Sequence, residues 1–105
     1  MNVDVKGADV IVDVGEELDH HQAALIEKEL ESILRKRLFK SLILDFSNTS
    51  FMDSSGVGLI IRYYKMLSML GGNVCVIHVS PMIERLFFVS GLHKIIRINT
   101  KMEAE

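Results

Sequence analysis

Apolar residues recur along this chain with two periods, and the points where one gives way to the other divide it into elements. Val3 and Val5, then Val10, Val12 and Val14, alternate with mostly polar neighbours about a break at Gly7, the period of half-buried strands joined by a tight turn. A β-hairpin is predicted. Ala23, Ile26, Leu30, Ile33 and Leu34 then recur at helical spacing behind Asp19, with Gln22 standing where a capping box would place it. Glu27, Lys28, Glu31 and Arg35 fall on the outer face of that helix. Leu42-Ile43-Leu44 is a continuous aliphatic run, as expected of a strand buried on both faces, and Ser47-Asn48-Thr49-Ser50 supplies turn chemistry after it. Val57, Ile60, Ile61, Tyr64, Leu67 and Met69-Leu70 return to the helical period until Gly71-Gly72 ends it. Val74 to Val79 reads as another buried strand. Ser80-Pro81 opens a third helix with Ile83, Leu86 and Phe87 as its core face, Gly91 closes it, and Ile95 to Ile98 gives a short final strand. Strands alternating with helices after an opening hairpin imply an α/β fold. The expected architecture is a mixed sheet of about five strands with right-handed crossovers and three or four helices packed on it.

With 105 residues and no repeat, linker or low-complexity run, residues 1–105 are expected to form one domain. Such a chain buries roughly 60–70% of its extended surface, enough for a single core. A net charge of -2 argues against a nucleic-acid footprint, which needs a basic face to release counterions. Arg35-Lys36-Arg37 and Lys40 form the one basic cluster, and at a helix end they complement the dipole. No apolar stretch approaches membrane-spanning length and the N-terminus lacks a signal-peptide layout, so a soluble cytoplasmic protein is expected, monomeric when free. Cys75 is the only cysteine; it excludes an intrachain disulfide and reads as a small buried hydrophobe between Val74 and Val76.

Candidate chemistry concentrates in Phe51-Met52-Asp53-Ser54-Ser55-Gly56-Val57-Gly58, between a strand and an apolar-periodic helix. Asp53, Ser54 and Ser55 stand at the helix N-terminus, where unpaired N–H groups and the positive dipole end accept a capping side chain, an anion or an attached phosphate. Capping alone is the ordinary reading of such a cluster. One cap suffices, however, and three polar residues are present, with Gly56 and Gly58 leaving backbone bare for the close approach of another protein.

That octapeptide, followed by Tyr64-Lys65, Gly71-Gly72, Ser80-Pro81, Arg85-Leu86-Phe87, Ser90-Gly91-Leu92 and Lys94-Ile95-Ile96-Arg97, resembles the bacterial anti-sigma factor antagonists with a STAS domain, and among them the sporulation branch that acts on the anti-sigma F factor. The match runs from about Glu17 to Ile98 with the segments in order. The resemblance implies a STAS fold, a short sheet with helices on one side. It also implies a switch: the serine after the Asp, here Ser54, is phosphorylated by an anti-sigma factor that is itself an ATP-binding serine kinase, and a metal-dependent serine phosphatase reverses this. Glu17, Asp19 and His20 match the family's acidic and double-His stretch, so the resemblance assigns partner binding to them together with Asp53, Ser54, Ser55, Gly56 and Gly58. Three departures stand out. Glu16 replaces the glycine usual before that Glu, with Gly15 one place earlier; Arg62-Tyr63-Tyr64-Lys65 replaces Gly-Arg-Tyr-Lys, moving the arginine by one position, so its role is not carried onto Tyr63; and only Thr100 to Glu105 remains where the family has a further helix.

Other chemistries find little support in the residues. His20 and His21, as helix neighbours, point about 100° apart, whereas metal ligands on one helix face come at i and i+4. No metal or other cofactor is expected. Ser-Ser-Gly-Val-Gly is neither a Gly-x-Ser-x-Gly nucleophile elbow nor a lysine-bearing phosphate loop, so an enzyme is not expected. The alternative that stays open is a STAS scaffold or nucleotide-binding regulatory module not controlled by Ser54.

Overall fold

The computed structural model describes residues 1–100. β1 (Asn2–Lys6) and β2 (Asp9–Asp13) form the predicted hairpin about Gly7, whose φ of +62° suits a residue without a Cβ. β3 (Glu17–Leu18) leads into α1 (His20–Lys36). β4 (Ser41–Asp45) and β5 (Phe51–Met52) precede α2 (Ser54–Ser68). β6 (Asn73–Val79), α3 (Pro81–Ser90), a single 3-10 turn (Leu92–Lys94) and β7 (Arg97–Thr100) complete the described chain. The main sheet has the order β1-β2-β4-β6-β7, parallel except for the antiparallel β1 edge. This is the expected five-stranded mixed sheet.

Register explains which side chains form the core. Val10, Leu42 and Val74 stand in one row across the sheet and Val12, Leu44 and Val76 in the next, all buried beneath Ile26 and Leu30 of α1 and Leu59, Ile60 and Leu67 of α2. Residues in alternate positions, Ile11, Ile43, Cys75 and Ile77, point to the other face and are only half-buried. The run Leu42-Ile43-Leu44 therefore belongs to a sheet covered on one face, not two, because the helices pack on a single side. Cys75 is corrected with it: it lies on the open face, and partial burial pushes its thiol above the ordinary value, keeping it protonated at neutral pH.

Further corrections concern phase. The buried stripe of α2 is Gly56, Leu59, Ile60, Tyr63 and Leu67; Val57, Ile61 and Tyr64 flank it and Met69 lies in solvent. Ile83 and Phe87 anchor α3, Phe87 edge-on to Phe46, but Leu86 faces outward. Ile95 leaves the 3-10 turn, so the last strand starts at Arg97 and extends to Thr100, two residues beyond the expected span. Glu27 is not on an outer face but between helices, paired with Arg62. The further helix of the family falls on residues 101–105, outside the described residues.

Candidate functional site

Two segments far apart in sequence meet through a feature with no periodic signature. β3 and β5 pair in parallel, Glu17 opposite Phe51 and Leu18 opposite Met52, as a separate two-stranded sheet. The loops on either side clasp each other. The Thr49 hydroxyl, on the one buried polar residue among those described, donates to the Gly15 carbonyl at 2.6 Å, and the Ser50 N–H donates to the Glu16 carbonyl at 2.8 Å. The Asp53 N–H reaches the Leu18 carbonyl at 3.3 Å. Upstream, the Asp45 carboxylate accepts from the Ser47 N–H and pairs with the His78 imidazole, both at 2.9 Å, which fixes where the chain leaves β4.

Because Leu18 and Met52 are paired, Asp19 and Asp53 follow side by side and α1 and α2 begin together. Both aspartates are N-caps. Asp19 accepts from the Gln22 N–H at 2.9 Å and Asp53 from the Ser55 N–H at 2.8 Å. The Gln22 side chain does not close a capping box; its amide donates to the Val14 carbonyl at 2.6 Å, bracing the same loop that Thr49 holds. Capping at α2 is thus done by Asp53. Ser54, one residue on, is exposed, and among the described residues its hydroxyl has no hydrogen-bond partner.

The expected site residues divide around Ser54. His20 of α1 and Ser55 and Gly58 of α2 line a groove of about 180 Å³ between the helices, with Ala23, Ala24 and Leu59 as walls and the Arg62–Glu27 pair at its far end. Glu17 and Asp19 line a different concavity with Gly15, Glu16 and His21, so His20 and His21 face different hollows. Asp53 and Ser54 border a third hollow toward α3. Gly56 is corrected: it is buried, and a Cβ there would stand 2.6 Å from Met52 Cγ and 2.9 Å from Leu18 Cδ2, so it lets α2 close on the small sheet and offers no backbone to a partner. Gly58 is the glycine that opens outward, and a Cβ there would have nothing within 4 Å. Arg62 and Glu27 were not among the expected site residues. Their charges were visible in the sequence, but Glu27 reads there as an outer-face residue, and the rotation of α2 that buries Tyr63 and turns Arg62 to the groove was not legible.

A profile of the STAS domain matches residues 1–104. The chain belongs to the STAS domain family. An anti-sigma F factor antagonist of Paenibacillus polymyxa is 37% identical over 89 residues, 85% of this chain and 76% of the relative. An anti-sigma-B factor antagonist of Bacillus subtilis is 31% identical over 105 residues, covering 98% and 94%. Among solved structures, the anti-sigma factor antagonist SpoIIAA in its unphosphorylated form superposes with a TM-score of 0.82 at 29% identity, covering 98% of this chain and 90% of that one. The Bacillus SpoIIAA in its phosphorylated form gives 0.74 at 30% identity, covering 98% and 94%. No helix among the described residues of this STAS domain is long and apolar enough to cross a membrane.

Proposed function

We propose that this STAS domain is an anti-anti-sigma factor, a cytoplasmic binding switch and not an enzyme. Its unphosphorylated form captures an anti-sigma factor that is also a serine kinase, and so frees sigma. That kinase phosphorylates Ser54, the modified form no longer binds, and a serine phosphatase resets the cycle. Glu17, Asp19, His20, Asp53, Ser54, Ser55 and Gly58 carry the interface. One observation carries this reading: Asp53 performs the capping, which leaves the Ser54 hydroxyl exposed and unengaged beside the hollow toward α3. A hydroxyl needed as a cap would be a poor phosphate acceptor. The relatives named as antagonists, and a related structure known in phosphorylated and unphosphorylated forms, point the same way.

The physics favours a block at the interface over refolding. Phosphate adds about -1.5 to -2 charges, and at a helix N-terminus a negative charge is worth only about 0.3–1 kcal/mol in the stabilising direction. Reversing a two-state equilibrium takes about 5.5 kcal/mol. In a closed interface the same phosphate must shed water beside the Asp53 carboxylate, a cost of several kcal/mol and thus orders of magnitude in affinity. The test is capture from native-host extract with ADP and magnesium on Ser54→Ala and Ser54→Asp baits. Retention of an ATP-binding serine kinase by the alanine bait alone supports the switch. Equal retention by both baits, or no kinase on either, replaces it with a scaffold role.

A further inference from the structure

His78, in β6, is the only residue other than glycine among those described with a left-handed backbone, at φ +58°. The strand breaks phase there. Val74 and Val76 face the core, and strict alternation would send His78 after them and Val79 to the open face; instead Val79 is buried and His78 only half-buried. The pairing with β7 slips at the same point, the steps from Val76 to Val79 being matched by those from Ile98 to Thr100. One extra residue is thus let into β6, a bulge of the kind that re-aims a side chain. The side chain concerned is the imidazole, whose Nδ1 lies 2.9 Å from Asp45 Oδ1. A carboxylate only accepts, so Nδ1 carries the proton and donates. Glycine would take this backbone with less strain; what histidine adds is the bond to Asp45.

That bond is the first of a series leading to the candidate phosphoacceptor. Held by His78 on one side, the Asp45 carboxylate accepts from the Ser47 N–H at 2.9 Å, and the Thr49 N–H closes the turn on the Phe46 carbonyl at 3.0 Å. The turn delivers Thr49 and Ser50 to Gly15 and Glu16, next to the β3–β5 pairing that sets Asp53 and Ser54. Resting on the switch reading above, we infer that His78 is a positioning residue for the Ser54 switch: through Asp45 it holds the loop 46–50 in the arrangement that presents the start of α2 to a partner. Without the imidazole the carboxylate keeps only Ser47, and the loop samples other arrangements. A partner's apparent affinity then falls in proportion to the fraction of chains still correctly arranged. Once bound, the geometry at Ser54 is native, so the loss belongs to docking and not to phosphoryl transfer.

Two variants separate the imidazole from the backbone. His78→Gly suits φ +58° better than histidine and deletes the bond, whereas His78→Asn tolerates the same backbone and carries an amide N–H at the side-chain position of Nδ1. Amide hydrogen exchange is followed at Ser50 and Asp53, with Leu44 and Val76 of the core strands as reference. Ser54 phosphorylation is measured with ATP, magnesium and the kinase retained by the Ser54→Ala bait. The expected result for His78→Gly is at least tenfold faster exchange at Ser50 and Asp53 with the reference unchanged, and KM raised at least fivefold at native kcat; His78→Asn recovers both. Native-like exchange and KM in His78→Gly overturn the proposal and leave the switch standing. Equal acceleration at the reference amides makes His78 a contributor to global stability, and a fall in kcat at native KM assigns it to the chemical step; either overturns the positioning role. Faster loop exchange with native KM overturns the link to the switch, and no recovery in His78→Asn overturns the assignment to this hydrogen bond. A native chain that is not phosphorylated at Ser54 removes the switch, and this inference with it.

Discussion

Gly56 and Gly58 lie two residues apart in the same helix, and alanine at the two positions should shift stability in opposite directions. A Cβ on Gly56 meets Met52 Cγ at 2.6 Å and Leu18 Cδ2 and Cγ at 2.9 Å, and both neighbours are buried in the small sheet. Overpacking of this kind costs about 1–3 kcal/mol, against a gain of about 0.5–1 kcal/mol from replacing glycine inside a helix. Gly56→Ala should therefore be net destabilising, by about 1 kcal/mol and at most about 2.5. A Cβ on Gly58 meets nothing, so Gly58→Ala keeps the whole helix gain of about 0.5–1 kcal/mol. For a chain of this length each kcal/mol moves Tm by roughly 4–8 °C, so thermal melts read the contrast directly. The added methyl of Gly58→Ala projects into the groove beside His20 and Ser55, so the more stable variant should bind its partner more weakly. Shifts of the same sign at both positions would refute the assignment of Gly56 to packing and Gly58 to the surface.

Thr49→Val keeps the side-chain shape but leaves the Gly15 carbonyl unpaired; urea unfolding should show a loss of about 1–3 kcal/mol, largely restored by Thr49→Ser. Asp53→Ala removes the α2 cap and should cost about 0.5–2 kcal/mol, whereas Ser54→Ala should stay within about 0.5 kcal/mol of native, since only the first side chain caps. Burial alone would raise the pKa of Asp45, but hydrogen bonds from His78 and the Ser47 N–H outweigh it and hold the carboxyl below its ordinary value. Its folded pKa is thus the lower one. The stability it contributes is present at neutral pH and lost as pH falls below the ordinary carboxylate range, so Asp45→Asn should flatten the acid limb of a stability–pH profile.

The legible parts of the fold were those with local causes. The alternation around Gly7, the caps Asp19 and Ser80, and the stop at Gly91 each rest on residues within one or two turns of each other, and each element formed where expected. The β3–β5 pairing was hidden because two-residue strands show no period, and its stabilising bonds, such as Thr49 to Gly15, join residues 34 apart. The one-sided covering of the sheet was hidden because Ile43 is as apolar as Leu42 and Leu44; only register assigns it to the open face. For the site, the serine and its aspartate were legible as a helix start, but which side chain caps was not. That distinction depends on the Asp53 carboxylate reaching the Ser55 N–H. On α3, Leu86 fits a core stripe by spacing and yet faces the hollow beside Ser54.

The proposed switch turns on one hydroxyl at an otherwise complete helix start. The most direct measurement is the affinity of the purified anti-sigma kinase, with ADP and magnesium, for the native chain and for the same chain phosphorylated at Ser54, with circular dichroism of both. The switch requires unchanged helix content and at least a hundredfold weaker binding after phosphorylation, the factor expected from about 3 kcal/mol of desolvation and repulsion at a closed interface. Equal affinities would contradict it, and so would a loss of binding accompanied by a loss of helix.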